Sequence, residues 1–138
     1  MSKIKLPATI GHLERLVGFV SDCAKNTGFS DNRIREIELA TEEALVNIFN
    51  YAYPDGPGDL EVSCTPQQNA FLKIEIMDNG MPFDPLSLPD PDLQADISER
   101  KVGGLGIFFM RKMADELQYR REKGCNILTF IFLMKKAD

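Results

Sequence analysis

The stretch from Leu60 to Gly80, LEVSCTPQQNAFLKIEIMDNG, decides the fold. It contains two runs of alternation, with Leu60, Val62 and Cys64 on one side of the first and Leu72, Ile74 and Ile76 on one side of the second. A period of two marks half-buried strands. The connection Pro66-Gln67-Gln68-Asn69-Ala70 suits a hairpin between strands over Leu60–Thr65 and Phe71–Met77. Hairpin strands are antiparallel, and an antiparallel sheet can bury one face under helices.

Upstream, Ile4–Thr9 predicts a short first strand, placed at an edge by Pro7. Leu13, Leu16, Val17 and Val20 recur at helical spacing within Gly11–Asn26, and Gly28 ends that helix. Ser30 is an N-cap for a long helix running to about Ala52, with Arg33 where a capping-box acid would sit. Pro54-Asp55-Gly56-Pro57-Gly58 stops it. Downstream, Asn79–Val102 carries Pro82, Pro85, Pro89 and Pro91, and an irregular segment of that length in a compact domain is usually functional or disordered. A short helix fits Leu93–Glu99. Gly103-Gly104-Leu105-Gly106 opens another that includes Ile107, Met110, Met113 and Ala114, and strands over Leu117–Arg121 and Asn126–Met134 flank Lys123-Gly124. The order β-α-α-β-β-loop-α-β-β predicts an α+β fold, a two-layer α/β sandwich with helices on one face of a mainly antiparallel sheet.

A length of 138 residues suits one domain, and 43% hydrophobic residues suffice for one core. No apolar run approaches the roughly 18 residues of a membrane span, and MSKIKLPATIGHLERL has no signal-peptide stretch, so a cytoplasmic protein is expected. A net charge of -5 without a basic patch argues against nucleic-acid binding. Cys23, Cys64 and Cys125 have no metal-type spacing and read as reduced, mostly buried thiols. The single histidine, His12, falls at a helix start, where an exposed structural role is expected.

Three constellations could carry chemistry. In TEEALVNIFNYAY (Thr41–Tyr53), Glu43 and Asn47 lie four apart on one face of the long helix. With Glu36 and Asn50 they form a stripe nearly opposite Ile34, Ile37, Thr41, Ala44, Leu45, Ile48 and Ala52, bordered by Leu39, Val46 and Ala40. That stripe is either plainly solvated or the wall of a pocket. In DNGMPFDP, Asp78 continues the parity of Leu72, Ile74 and Ile76 and points a carboxylate at the core, or else the strand ends at Met77 and an Asp-Asn-Gly turn begins. Gly80 would let a ligand approach the backbone. In GGLGIFFMRKM, glycines at a helix N-terminus either offer N–H groups to an anion or form a hinge. Thr129 shares the parity of Ile127, Ile131 and Leu133, where threonine also simply suits a strand.

Taken in order, Glu-x-x-x-Asn on a helix, Asp-x-Gly after a strand, a long lid and Gly-x-Gly on a helix resemble the GHKL ATPase superfamily. EEALVNIFNYAYPD, DNGMPFDP and GGLGIFFMRKMADELQYRREKGCNILTFIF look like its anti-sigma factor serine/threonine kinases over nearly the whole chain. The resemblance implies a Bergerat, histidine-kinase-type ATPase fold in a single kinase domain over 1–138, with an ATP lid at about 79–103. It implies ATP and Mg²⁺, Glu43 as general base, Asn47 as magnesium ligand, Asp78 receiving the adenine amine with Gly80 beside the ring, and Gly104, Leu105 and Gly106 around the phosphates. Thr129 would help bind adenine through Asp78 or water. Val102 departs from members with a basic residue close before Gly-x-Gly, which leaves Arg100 or Lys101 for the γ-phosphate, and Tyr51 stands where histidine is frequent.

The implied function is phosphorylation of a STAS-type anti-anti-sigma protein, sequestration of a sigma factor, and homodimerisation, for which the two-sided apolar last strand is suited. A nucleotide-binding regulatory module that phosphorylates nothing is the alternative, and Glu43 argues against it because a pure binder needs no base. An interaction protein without nucleotide is a third reading.

Overall fold

The computed structural model describes residues 1–87 and 110–134. Within them the chain forms β1 (Ser2–Pro7), a 3-10 turn (Ile10–His12), α1 (Leu13–Thr27), α2 (Asp31–Tyr51), β2 (Asp59–Gln67) and β3 (Phe71–Asp78). A second 3-10 turn (Pro85–Ser87), helical residues 110–113, β4 (Glu116–Glu122) and β5 (Cys125–Leu133) follow. The expected order is met, with bounds moved by a few residues. The short helix over Leu93–Glu99 and the glycines at 103–106 lie outside the described residues.

The strands form one antiparallel sheet in the order β1-β2-β3-β5-β4, which leaves Pro7 on an edge strand as expected. Leu60, Val62 and Cys64 of β2, Leu72, Ile74 and Ile76 of β3, and Leu128, Phe130 and Phe132 of β5 turn one face toward the helices. Leu16, Val20 and Ala24 of α1 and Ile34, Ile37, Ala44, Leu45 and Ile48 of α2 close over that face. Each large side chain buried this way contributes about 1.5–3 kcal/mol. The helix ends follow local chemistry. Gly28 closes α1, and the Ser30 hydroxyl accepts from the Arg33 N–H at 3.3 Å.

Arg33 carries a role that its place in the first turn of α2 does not announce. It is buried, donates to the Met113 carbonyl at 2.7 Å, pairs with Asp115 and lies 5.3 Å from the Phe132 ring centroid. A cation at a helix N-terminus opposes the dipole, and the acceptors on the incoming chain offset that cost. Asp115 also accepts from the Leu133 N–H at 2.7 Å, so one ion pair fastens the 110–113 helix, β5 and α2 together.

The β4–β5 hairpin turns at Lys123 (φ 51) and Gly124 (φ 77), a pair of left-handed residues that matches the twist of a two-residue hairpin. This turn sets Arg121 opposite Asn126, while β3 pairing sets Asp78 opposite Asn126. Cys64 is buried, Cys23 and Cys125 are half-buried, and all three are free thiols. The neighbouring Cys23 thiol and burial push the Cys64 thiol well above its usual range. Among the described residues no helix is long and apolar enough to cross a membrane.

Candidate functional site

A small cavity opens between α2 and the helix-facing side of the sheet. Ala44, Asn47, Ile48 and Ala52 line it from α2, Ile76 and Asp78 from β3, and Leu128 and Asn126 from β5. Phe83, Pro85, Met110 and Tyr119 also line it. Its volume of about 30 Å³ holds about one water.

Asp78 answers the question left open by its parity. β3 runs through Asp78, and the carboxylate is 3% exposed on the helix-facing side. A turn also begins there, because Asp78 Oδ1 accepts from the Gly80 N–H at 2.8 Å. Burying a carboxylate costs several kcal/mol unless donors satisfy it. The second donor is the Asn126 amide, at 2.9 Å from the same oxygen. Gly80 is required for a different reason from the one expected. A Cβ there would lie 2.2 Å from the Ala52 carbonyl oxygen, so the end of α2, rather than a ligand, occupies the space. The Met81 N–H donates to that carbonyl at 2.8 Å.

On α2, Asn47 is 4% exposed and its Nδ2 has no hydrogen-bond partner among the described residues. An orphaned buried amide costs about 1–3 kcal/mol, which makes its place on the cavity wall informative. The stripe expected opposite the core is thus divided. Asn47 sits at the edge of the buried arc beside Ala40 and Ala44, Glu43 and Glu36 are half-buried, and Asn50 is exposed. Glu43 lies one turn before Asn47. Burial, and secondarily the neighbouring Glu42 charge, hold its carboxyl above the usual range for glutamate.

Thr129 does not join this group. It pairs with Glu75 of β3, and its hydroxyl donates to the Glu75 carboxylate at 3.1 Å on the other face of the sheet. The expectation that it reaches Asp78 is corrected: the partner of Asp78 on β5 is Asn126. Gly104, Leu105 and Gly106 lie outside the described residues, as do Arg100, Lys101 and Val102.

Sequence reasoning passed over Asn126, Tyr119 and Phe83. Asn126 donates to the Asp78 carboxylate and, at 2.8 Å, to the Met81 carbonyl, and accepts from the Tyr119 hydroxyl at 2.6 Å. The Phe83 ring stacks on Tyr51 with centroids 5.1 Å apart, which gives the residue four beyond Asn47 a packing role. Tyr53 accepts from the Asn79 N–H at 2.8 Å and donates to the Asp59 carbonyl, and Arg121 donates to the Gly80 carbonyl at 2.7 Å. The signal for Asn126 was a lone polar residue in the apolar series Leu128, Phe130, Phe132.

The donor set suits Mg²⁺ held jointly with phosphates. Among the described residues no group of three or more His, Cys, Asp or Glu could hold a metal alone, and Mg²⁺ needs few protein oxygens when a nucleotide supplies others. The Asn47 side chain on the wall has one amide oxygen of the kind Mg²⁺ takes, while its unpartnered Nδ2 is a donor and suits an acceptor such as a phosphate oxygen.

Two helices lie over an antiparallel sheet, and a buried carboxylate and a helix-borne asparagine line one cavity between the layers. The chain belongs to the histidine kinase-like ATPase domain family, which it matches over residues 6–132. It is similar to the serine-protein kinases RsbW of Bacillus cereus (strain AH187) and Bacillus anthracis, at 23% identity over 97% of this chain and 86% of each relative. Among solved structures, the RsbU and RsbW domains of a Mycobacterium tuberculosis protein superpose with a TM-score of 0.62 at 13% identity, covering 99% of this chain and 34% of that one. The histidine kinase domain of a blue-light activated kinase from Erythrobacter litoralis gives 0.53 at 16% identity, over 96% of this chain and 68% of that one. These likenesses carry the fold.

Proposed function

We propose that the chain is an ATP-dependent serine/threonine protein kinase, a single domain with its lid at about 79–103, that phosphorylates a STAS-type anti-anti-sigma protein and holds a sigma factor. The observation that carries the reading is that Asn47, buried with its Nδ2 unpartnered among the described residues, and the Asp78 carboxylate line one cavity. The family membership and the serine-protein kinases named among its relatives support it.

In this reading Asp78 accepts the adenine amine, and Asn47 would hold Mg²⁺ through its amide oxygen. The ion, once bound with the phosphates, neutralises charge on the transferring group. Gly104, Leu105 and Gly106 hold the phosphates through backbone N–H groups, and Arg100 or Lys101 reaches the γ-phosphate. Glu43 takes the proton from the partner's hydroxyl as its oxygen attacks the γ-phosphorus and ADP departs. A carboxyl held above its usual range is a better-matched base near neutral pH than an ordinary glutamate. The chain acts as a homodimer.

Incubation with Mg-ATP and candidate partner proteins, followed by intact-mass measurement, tests the proposal. The wild type adds one phosphoryl group to its partner, and Glu43→Gln loses about 10²–10⁴-fold in that rate. The variant still binds ADP, read as a thermal shift worth about 2.7 kcal/mol at 100 times the dissociation constant. A variant that phosphorylates normally rejects Glu43 as the base. A wild type that binds ADP and phosphorylates no partner favours the regulatory-module alternative.

A further inference from the structure

Arg33 breaks two local rules, and the fold keeps it. It is the third residue of α2, where an acid would complete the cap and favour the dipole. Its guanidinium is also buried, and Nε has no hydrogen-bond partner among the described residues. Violations of local rules concentrate where a site needs them.

The other guanidinium atoms hold the short helix at residues 110–113. Nη1 donates to the Met113 carbonyl at 2.7 Å and to Glu36 at 3.3 Å, and Nη2 pairs with Asp115. Met113 is the last residue of that helix, so its carbonyl has no partner within the helix and Arg33 caps it. The Asp115 oxygen that meets Arg33 also accepts from the Leu133 N–H at 2.7 Å, and the Asp115 N–H donates to the Ile131 carbonyl at 3.0 Å. The C-terminal end of the helix is thereby fixed to α2 and β5 at once.

A second arginine fixes the same helix on another side. Arg111 donates to the Leu86 carbonyl at 2.7 Å and joins it to the Pro85–Ser87 turn. Both pieces reach the cavity: Met110, fully buried, and Pro85 line it, while Arg33 does not. Met110 stands about 4.5 Å along the helix axis from Met113, so a shift at the capped end moves the lining residue.

We propose that Arg33 is a positioning residue of the nucleotide pocket. Through the Met113 carbonyl and Asp115 it holds the 110–113 helix, and with it Met110, in the setting that receives the nucleotide. Arg33 and Asp115 touch no reacting atom, so neither is catalytic. The inference rests on the nucleotide reading above.

The test measures ADP dissociation constants and urea midpoints in parallel. Arg33→Met keeps a long side chain, removes the hydrogen bonds and weakens ADP about tenfold, the order expected when one charged contact holds the competent setting. Asp115→Asn weakens ADP several-fold, and the double variant loses no more than about twofold beyond Arg33→Met, because both act through one contact. Arg33→Lys keeps the charge without the fork and recovers only part of the affinity. Val20→Ala, a core truncation on α1 away from the cavity, also lowers the urea midpoint but leaves ADP affinity within about twofold. In turnover, the loss in Arg33→Met falls on KM for ATP rather than on kcat. If Arg33→Met fails to fold, Asp115→Asn and Arg33→Lys decide the matter.

ADP affinity that changes in the Arg33 and Asp115 variants no more than in Val20→Ala reduces the pair to an ordinary fold contact. That outcome overturns the inference and leaves the nucleotide reading standing, as do fully additive losses in the double variant. A wild type that binds no ADP rejects the nucleotide reading, and this inference with it.

Discussion

The two walls of the cavity are built on opposite plans. The sheet side is closely bonded: Asp78 Oδ1, Asn126, Tyr119 and the backbone of Gly80, Met81 and Phe83 hydrogen-bond one another, and Asp78 Oδ2 alone has no donor among the described residues. The helix side is left open, with an orphaned Asn47 amide and a half-buried Glu43 raised above its usual range. A wall whose groups hold one another presents a fixed pattern of donors and acceptors. An unsatisfied wall is a cost that folding carries, and such costs concentrate where a ligand later supplies the missing partner.

The contrast sets the order of expected effects. The largest is the loss of turnover in Glu43→Gln already described. Next, Asp78→Asn replaces the acceptor on the floor and weakens ADP binding by roughly 10–100-fold, the range for a hydrogen bond to a charged group, measured by calorimetric titration. If ADP binds this variant as well as the wild type, the floor does not read the base.

Smaller again is a paired comparison of stability without ligand. Asn126→Ala strands Asp78, the Met81 carbonyl and the Tyr119 hydroxyl, and costs about 1–3 kcal/mol in denaturant unfolding. Asn47→Ala strands nothing that Nδ2 was bonding, and leaves stability unchanged or slightly higher while Mg²⁺ ceases to strengthen ADP binding. Equal destabilisation by the two substitutions would erase the distinction between the walls.

Glu43 supplies a pH dependence with a definite sign. Its folded-state value is raised by burial and by Glu42. Between the unfolded and folded values the native state holds the extra proton, so stability falls as pH rises through that window and is lowest above it. Glu43→Gln therefore melts slightly higher than wild type at neutral pH, and the difference vanishes below the ordinary glutamate range. With Glu43 in its proposed role as base, the phosphorylation rate moves the other way, dropping as pH falls through the raised value and the carboxylate is protonated. The smallest effect belongs to Thr129→Val, which leaves ADP affinity within about twofold because its hydroxyl lies across the sheet from Asp78.

Much of the frame was legible because it is local. Period-two alternation in Leu60–Thr65 and Phe71–Met77, the Ser30 cap, and the stops at Gly28 and Pro54–Gly58 depend on neighbours within a few residues. Each reappears at its expected place. Glu43, Asn47 and Asp78 were legible as a pattern of types and spacings, and the structure brings Asn47 and Asp78 to one cavity.

The last strand was not legible in the same way. Ile127, Thr129 and Ile131 are as strand-like as Leu128, Phe130 and Phe132, so hydrophobic pattern could not say which set faces the helices. Pairing across β3 decided it by setting Asn126 opposite Asp78, and the same register carried Thr129 to the far face. Nor could helical spacing alone show that Asn47 is buried without a partner for its Nδ2, or that Gly80 yields to Ala52. By itself, then, the sequence determined the elements and their order, since these follow from short-range sterics and periodicity, while the roles expected of Glu43, Asn47 and Asp78 came from the resemblance to a known family. Only the tertiary structure decided which polar groups meet, since a hydrogen bond between residues far apart in the chain depends on register and packing depth that no local rule contains.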